Sequence, residues 1–167
     1  MTPVCEAAPD PENHESGLPP ASGPAGEAPG RILLLEDDLE LAMHYRDLLE
    51  EAGWEVYHED HPDGAKETLQ QTRVDVVVCD LIIRGSDGMP LPCGGLTLMN
   101  FIQLRLEYPV RVLAITGTSP DLQLLAYAES FRIDGSLRKP VDPDRLVSEV
   151  GRLIELGPDT KRRRPTL

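Results

Sequence analysis

The chain has 167 residues, 40% of them hydrophobic, and a formal charge of −13 at neutral pH. That length supports one globular domain with a real core, and the acidic balance argues against a general nucleic-acid binder. No apolar run approaches the roughly 18 residues of a membrane span, and no basic start followed by an apolar stretch marks a secretory signal.

Residues 1–30 contain seven prolines, four glycines, five alanines, five acids and no Lys or Arg. Such a segment buries too little apolar surface to offset its ordering entropy, so it reads as a disordered, acidic Pro/Gly/Ala-rich tail. "RILLL" at 31–35 then reads as a strand buried on both faces. Residues 39–52 place Leu41, Tyr45, Leu48, Leu49 and Ala52 on one helical face, and Gly53 is a good stop. "WEVYH" is a second strand. "DGAKETLQQ" is a short helix with Ala65 and Leu69 facing inward. "VDVVVCD", rich in β-branched valine, is a third strand. A long loop with many turn residues follows. "LTLMNFIQLRLE" is helical, with Leu96, Met99, Ile102 and Leu106 on one face. "VRVLAIT" is a fourth strand. "SPDLQLLAYAESF" carries Pro120 where a helix can begin. "GSLRK" is a fifth strand. The last helix starts after Asp142, a candidate cap before Pro143, and ends at Gly157. Residues 158–167 include Lys161, Arg162, Arg163 and Arg164 and read as a basic tail.

Five strand–helix units in strict alternation predict a parallel sheet with helices on both faces. In such sheets ligands lie beyond the carboxyl ends of the strands. Strand one ends in Glu36, Asp37 and Asp38, strand three in Asp80, strand four in Thr116 and strand five in Lys139. Clustered carboxylates repel one another unless a cation relieves them. Oxygen ligands around a divalent charge describe a Mg²⁺ site that also takes a phosphoryl oxygen. Asp80 suits a nucleophile that forms an acyl phosphate. Lys139 and Thr116 would supply positive charge and a hydrogen bond to the phosphoryl group.

These residues carry a resemblance. Over about residues 31–157 the chain resembles the receiver domain of the bacterial two-component response regulators. "RILLLEDD" resembles the family's first strand and acidic pair, aligned here with Glu36 and Asp37. "DVVVCD" resembles the strand that ends in the phosphoacceptor, "VRVLAITG" places Thr116 at the hydroxyl position, and "LRKP" supplies Lys139 and Pro140. Asp87–Gly88 falls where the family often has Asp-Gly. The resemblance implies a flavodoxin-like (βα)5 fold, a doubly wound sheet of five parallel strands in order 2-1-3-4-5. It implies a cis Lys139–Pro140 bond. It also implies Mg²⁺ held by Asp37, Asp80 and the backbone carbonyl of Ile82, with Glu36 acting through water. The phosphoryl group would come from a histidine kinase or a histidine phosphotransfer protein.

Several positions depart from the family pattern. Ile82 and Thr118 stand where the family tunes phosphoryl hydrolysis, and an apolar Ile82 predicts slow loss of phosphate. Arg84 replaces a frequent proline four residues after the phosphoacceptor. Residues 89–95 form a longer loop at the site edge, read either as a tolerated insertion or as a partner surface. Ser136 replaces an aromatic whose rotation reports phosphorylation, so readout through that ring is not expected.

Other candidates read plainly. His44, His58 and His61 show no metal-like spacing and are expected to be surface or locally satisfied. Three cysteines, Cys5, Cys79 and Cys93, are scattered without zinc or disulfide spacing, which fits a reducing, cytoplasmic setting. Cys79 is expected to be a small buried hydrophobe and Trp54 a packing residue. Asp38 is expected to cap the first helix.

The leading functional expectation is a single-domain response regulator that takes a phosphoryl group on Asp80 and signals to a protein target by contact. It is not expected to be an enzyme, to bind nucleic acid or to associate with a membrane. The alternatives are a pseudo-receiver that is never phosphorylated, and a phosphatase with Asp80 as nucleophile. Ile82 lacks the second acid that a phosphatase would need for general acid–base work.

Overall fold

The structure is a computed structural model. It describes residues 29–84, 88–89, 91, 94–117, 130–131 and 133–158. The readings of 1–30 and 158–167 as tails fall almost wholly outside these residues. Thr118, Asp87, nearly all of the helix expected near 120–132 and residues 90, 92 and 93 of the 89–95 loop also lie outside them.

Five strands form one sheet: β1 (Arg31–Leu35), β2 (Glu55–Glu59), β3 (Val76–Asp80), β4 (Arg111–Thr116) and β5 (Gly135–Arg138). Their order is β2-β1-β3-β4-β5 and every pairing is parallel. The described helices are α1 (Leu39–Glu51), α2 (Pro62–Gln71), α3 (Gly94–Leu104) and α4 (Pro143–Leu156). This is the doubly wound arrangement expected from the alternation.

Strand periodicity divides the core. Ile32 and Leu34 face one way, with Val76 and Val78, and pack with Tyr45, Leu49, Leu146, Val150 and Leu153 of α1 and α4. Leu33 and Leu35 face the other way, with Val77 and Cys79, and pack with Ala65, Leu69, Leu98 and Met99 of α2 and α3. Successive side chains of a strand point to opposite faces, so a central strand covered on both sides reads as an unbroken apolar run. Cys79 is fully buried, as expected for a small hydrophobe, and burial pushes its thiol pKa up. Trp54 packs against the α1/α4 side, where its ring lies beside Gly151.

Caps set the helix starts. Asp38 Oδ1 accepts from Leu41 N at 3.1 Å and Asp142 Oδ1 accepts from Arg145 N at 3.0 Å, each answering an otherwise orphan donor of the first turn. His61 caps α2 by accepting from Asp63 N, and Pro62 follows at the first helical position. α3 begins two residues earlier than the apolar periodicity suggests, because Gly94 and Gly95 already form its first turn.

Candidate functional site

Three of the four strand ends expected to carry chemistry deliver buried polar groups to the carboxyl edge of the sheet. Glu36, Asp80 and Thr116 are only 1%, 4% and 3% exposed. Ligand oxygens of Glu36, Asp37 and Asp80 all lie within 4.8 Å of one another. Lys139 completes the set from the end of β5. Its Nζ lies 2.7 Å from Glu36 Oε2 and 2.6 Å from Asp80 Oδ2. The Lys139–Pro140 bond is cis, as the resemblance implied. Lys139 N donates to Thr116 O at 2.7 Å, so the fold fixes the root of the lysine against β4.

Each carboxylate is held differently. Asp80 Oδ1 accepts from Ile82 N at 2.9 Å, leaving Oδ2 to face the lysine. Glu36 is tethered at four points. Its N–H donates to Glu59 O, its carbonyl meets His58 Nε2 at 2.9 Å, Oε1 accepts from Asp38 N, and Oε2 accepts from Lys139. Asp37 is half-buried, and its Oδ2 accepts from Arg84 N at 3.1 Å. Asp38 is exposed, and its side chain faces Leu41 N as the helix cap. Thr116 Oγ1 lies 3.5 Å from Leu137 O, a long contact that leaves its hydroxyl weakly committed. Ile82 lies in the turn directly after Asp80, which brings its backbone to the same pocket.

Burial raises the Glu36 and Asp80 pKa values above the ordinary carboxylate range, and the hydrogen bonds from Lys139 only partly offset this. Burial alone would lower the Lys139 pKa; its hydrogen bonds to Asp80 and Glu36 outweigh that and hold it raised. Two buried carboxylates share one ammonium and a third carboxylate stands beside them, so negative charge is in excess.

A family model for the response regulator receiver domain matches residues 32–151. The chain belongs to the response regulator receiver family. Among curated proteins, the receiver is 31% identical over 116 residues to the phosphoglycerate transport system transcriptional regulatory protein PgtA of Salmonella typhimurium. That match covers 70% of this chain and 26% of the relative. The receiver is 27% identical over 124 residues to the response regulator receiver protein CpdR of Brucella abortus, covering 74% of this chain and 96% of that protein. Its fold is similar to a CheY-like response regulator receiver domain protein from Methanospirillum hungatei JF-1. There the TM-score is 0.64 at 20% identity, over 77% of this chain and 96% of that one.

Three residues, Gly95, His58 and Arg84, were given no part in the receiver's site from sequence. Gly95 N donates to Leu81 O, and a Cβ at Gly95 would collide with the carbonyl oxygen of Asp80. Only glycine lets α3 approach the end of β3 so closely. Gly88, in the Asp-Gly pair aligned with the family, has a φ of +75°, and no described atom lies within 4 Å of where a Cβ would sit. The close-approach glycine is therefore the last residue of the 89–95 stretch, where α3 has already begun. The signal was present as a Gly-Gly pair opening an apolar helix. His58, expected to be surface or locally satisfied, is the latter, with Glu36 O as its partner. Arg84 acts through its main chain.

Proposed function

We propose that this receiver accepts a phosphoryl group on Asp80 from the phosphohistidine of a histidine kinase or histidine phosphotransfer protein. It then signals by contact with a protein target. The observation that carries this reading is the Lys139 ammonium lying 2.6 Å from Asp80 Oδ2 in a buried pocket with surplus negative charge. The donor set fits a hard divalent cation. Three carboxylates converge within 4.8 Å, and one ammonium leaves them under-neutralised. Asp37, Asp80 and the Ile82 carbonyl would hold Mg²⁺, with Glu36 acting through water. Bound there, Mg²⁺ would neutralise phosphoryl oxygens as charge moves onto them.

The chain's own residues supply the rest. Asp80 attacks phosphorus, a bond from its carboxylate oxygen to phosphorus forms, and the bond from phosphorus to the donor imidazole breaks. Lys139 favours the anionic form of Asp80 before transfer and is near enough to pass to a phosphoryl oxygen afterwards. The Thr116 hydroxyl is free to turn to another phosphoryl oxygen. Ile82 offers no acid two residues after Asp80, which weighs against a phosphatase. No described helix is long and apolar enough to cross a membrane, and the proposed setting is the cytoplasm, where ATP feeds the kinase.

The test is incubation of the full chain with Mg²⁺ and either acetyl phosphate or a phosphorylated histidine phosphotransfer protein, read by intact mass. One phosphoryl group should be added, and Asp80→Asn should abolish it. No addition from either donor would make the chain a pseudo-receiver. Turnover of many equivalents of a phosphate ester would make it a phosphatase.

A further inference from the structure

We propose that the main-chain N–H of Arg84 is a positioning group that holds Asp37 ready for the divalent cation. This rests on the Mg²⁺ reading above. Lys139 reaches Glu36 and Asp80. Glu36 also accepts from Asp38 N and Asp80 from Ile82 N. Asp37 has neither the lysine nor a neighbour in its own turn. Among the described residues, the hydrogen bond on its carboxylate is the one from Arg84 N, 47 residues away in sequence. Without it, a half-buried Asp37 side chain would sample rotamers that point to solvent, and binding would have to freeze it.

The donor is itself well placed. Ile83, immediately before Arg84, is fully buried. Its carbonyl accepts from Leu91 N at 2.7 Å, and Gly94 packs so closely that a Cβ there would sit 2.9 Å from Ile83 Cβ. The Arg84 amide is thus aimed by the core and the start of α3. It occupies Asp37 Oδ2 and leaves Oδ1 for one bond to a metal. Any residue except proline can make this contact, since proline has no N–H. The Arg84 side chain is exposed, so its charge and its amide are separable by mutation.

The experiment is calorimetric titration of Mg²⁺ into wild type, Arg84→Ala and Arg84→Pro, each checked for folding by circular dichroism. Arg84→Ala keeps the amide and should bind within about twofold of wild type. Arg84→Pro should weaken binding roughly tenfold, the scale seen when groups that orient metal ligands are lost. Equal binding by folded Arg84→Pro and wild type would overturn the positioning role alone. Equal weakening in both variants would assign the effect to the side chain and also overturn it. If wild type bound no Mg²⁺, both this role and the metal reading would fall. Amide exchange supplies an answer even if Arg84→Pro does not fold. The Arg84 amide should be protected in metal-free wild type and lose that protection in Asp37→Ala; free exchange in wild type would sink the proposal.

Discussion

The two ends of the sheet use similar residues to opposite effect. At the amino edge, Arg111 and Asp134 form a clamp of opposite charges. Arg111 Nη1 lies 2.8 Å from Asp134 Oδ1, and Val112 N lies 2.8 Å from Asp134 Oδ2. Arg111 Nε donates to Gly157 O just past α4, and Arg152 Nη2 donates to Asp134 O. Nearby, Asp75 Oδ2 accepts from Arg31 N. At the carboxyl edge, Glu36 and Asp80 share one lysine, and among the described residues Asp37 has no cation of its own. A buried acid by itself therefore says little. The balance of charge separates a clamp, complete as folded, from a pocket that still calls for positive charge.

Breaking the lysine should have the largest effect. Lys139→Ala leaves Glu36 and Asp80 buried without a cation, and removal of one partner from such a cluster costs about 3 kcal/mol. Urea unfolding without metal should show that loss. Added Mg²⁺ should restore more stability to the variant than it adds to wild type, because it replaces the missing charge. An unchanged midpoint in metal-free Lys139→Ala would mean that the surplus charge is already relieved by solvent, and the contrast between the two ends would collapse.

Asp134→Ala tests the other end. It removes the carboxylate that pairs with the Arg111 guanidinium and leaves the buried Val112 N–H without its Asp134 acceptor, at a cost of about 2 kcal/mol. Because the clamp lies at the opposite edge of the sheet, Mg²⁺ affinity and phosphorylation should stay within about twofold of wild type. A parallel fall in Mg²⁺ affinity, measured by calorimetry on the folded fraction, would show that the two edges are coupled.

Sequence showed the pocket's acids and bases more clearly than their supports. Glu36, Asp37, Asp80 and Thr116 follow apolar runs, Lys139 follows the short strand GSLR, and parallel strand order carries all five to one edge. Their supports depend on contacts across the fold. His58 reaches Glu36 only because β2 runs beside β1 in a register that pairs Leu34 with His58. Gly95 matters because the chain enters α3 directly against Asp80, a path that no local pattern encodes. Arg84 contributes an amide, which residue type reveals only by its not being proline. Ser136 is exposed on β5 opposite Ala114, so the strand register is kept where the family's aromatic is missing.

The smallest effect tests how sharply the pocket is bounded. Asp38 is the third acid of the run, next to a proposed metal ligand, yet its carboxylate caps α1 through Leu41 N. Its own N–H reaches Glu36 Oε1 at 3.3 Å, a contact that alanine preserves. Asp38→Ala should therefore cost only the cap, about 1 kcal/mol in denaturant unfolding, and leave Mg²⁺ affinity unchanged. Asp37→Ala, one residue earlier, removes a proposed ligand and should abolish Mg²⁺-dependent phosphorylation with little need of the cap. If Asp38→Ala instead weakened Mg²⁺ as Asp37→Ala does, the anionic surplus would extend to the helix start, and charge rather than ligand geometry would govern the site.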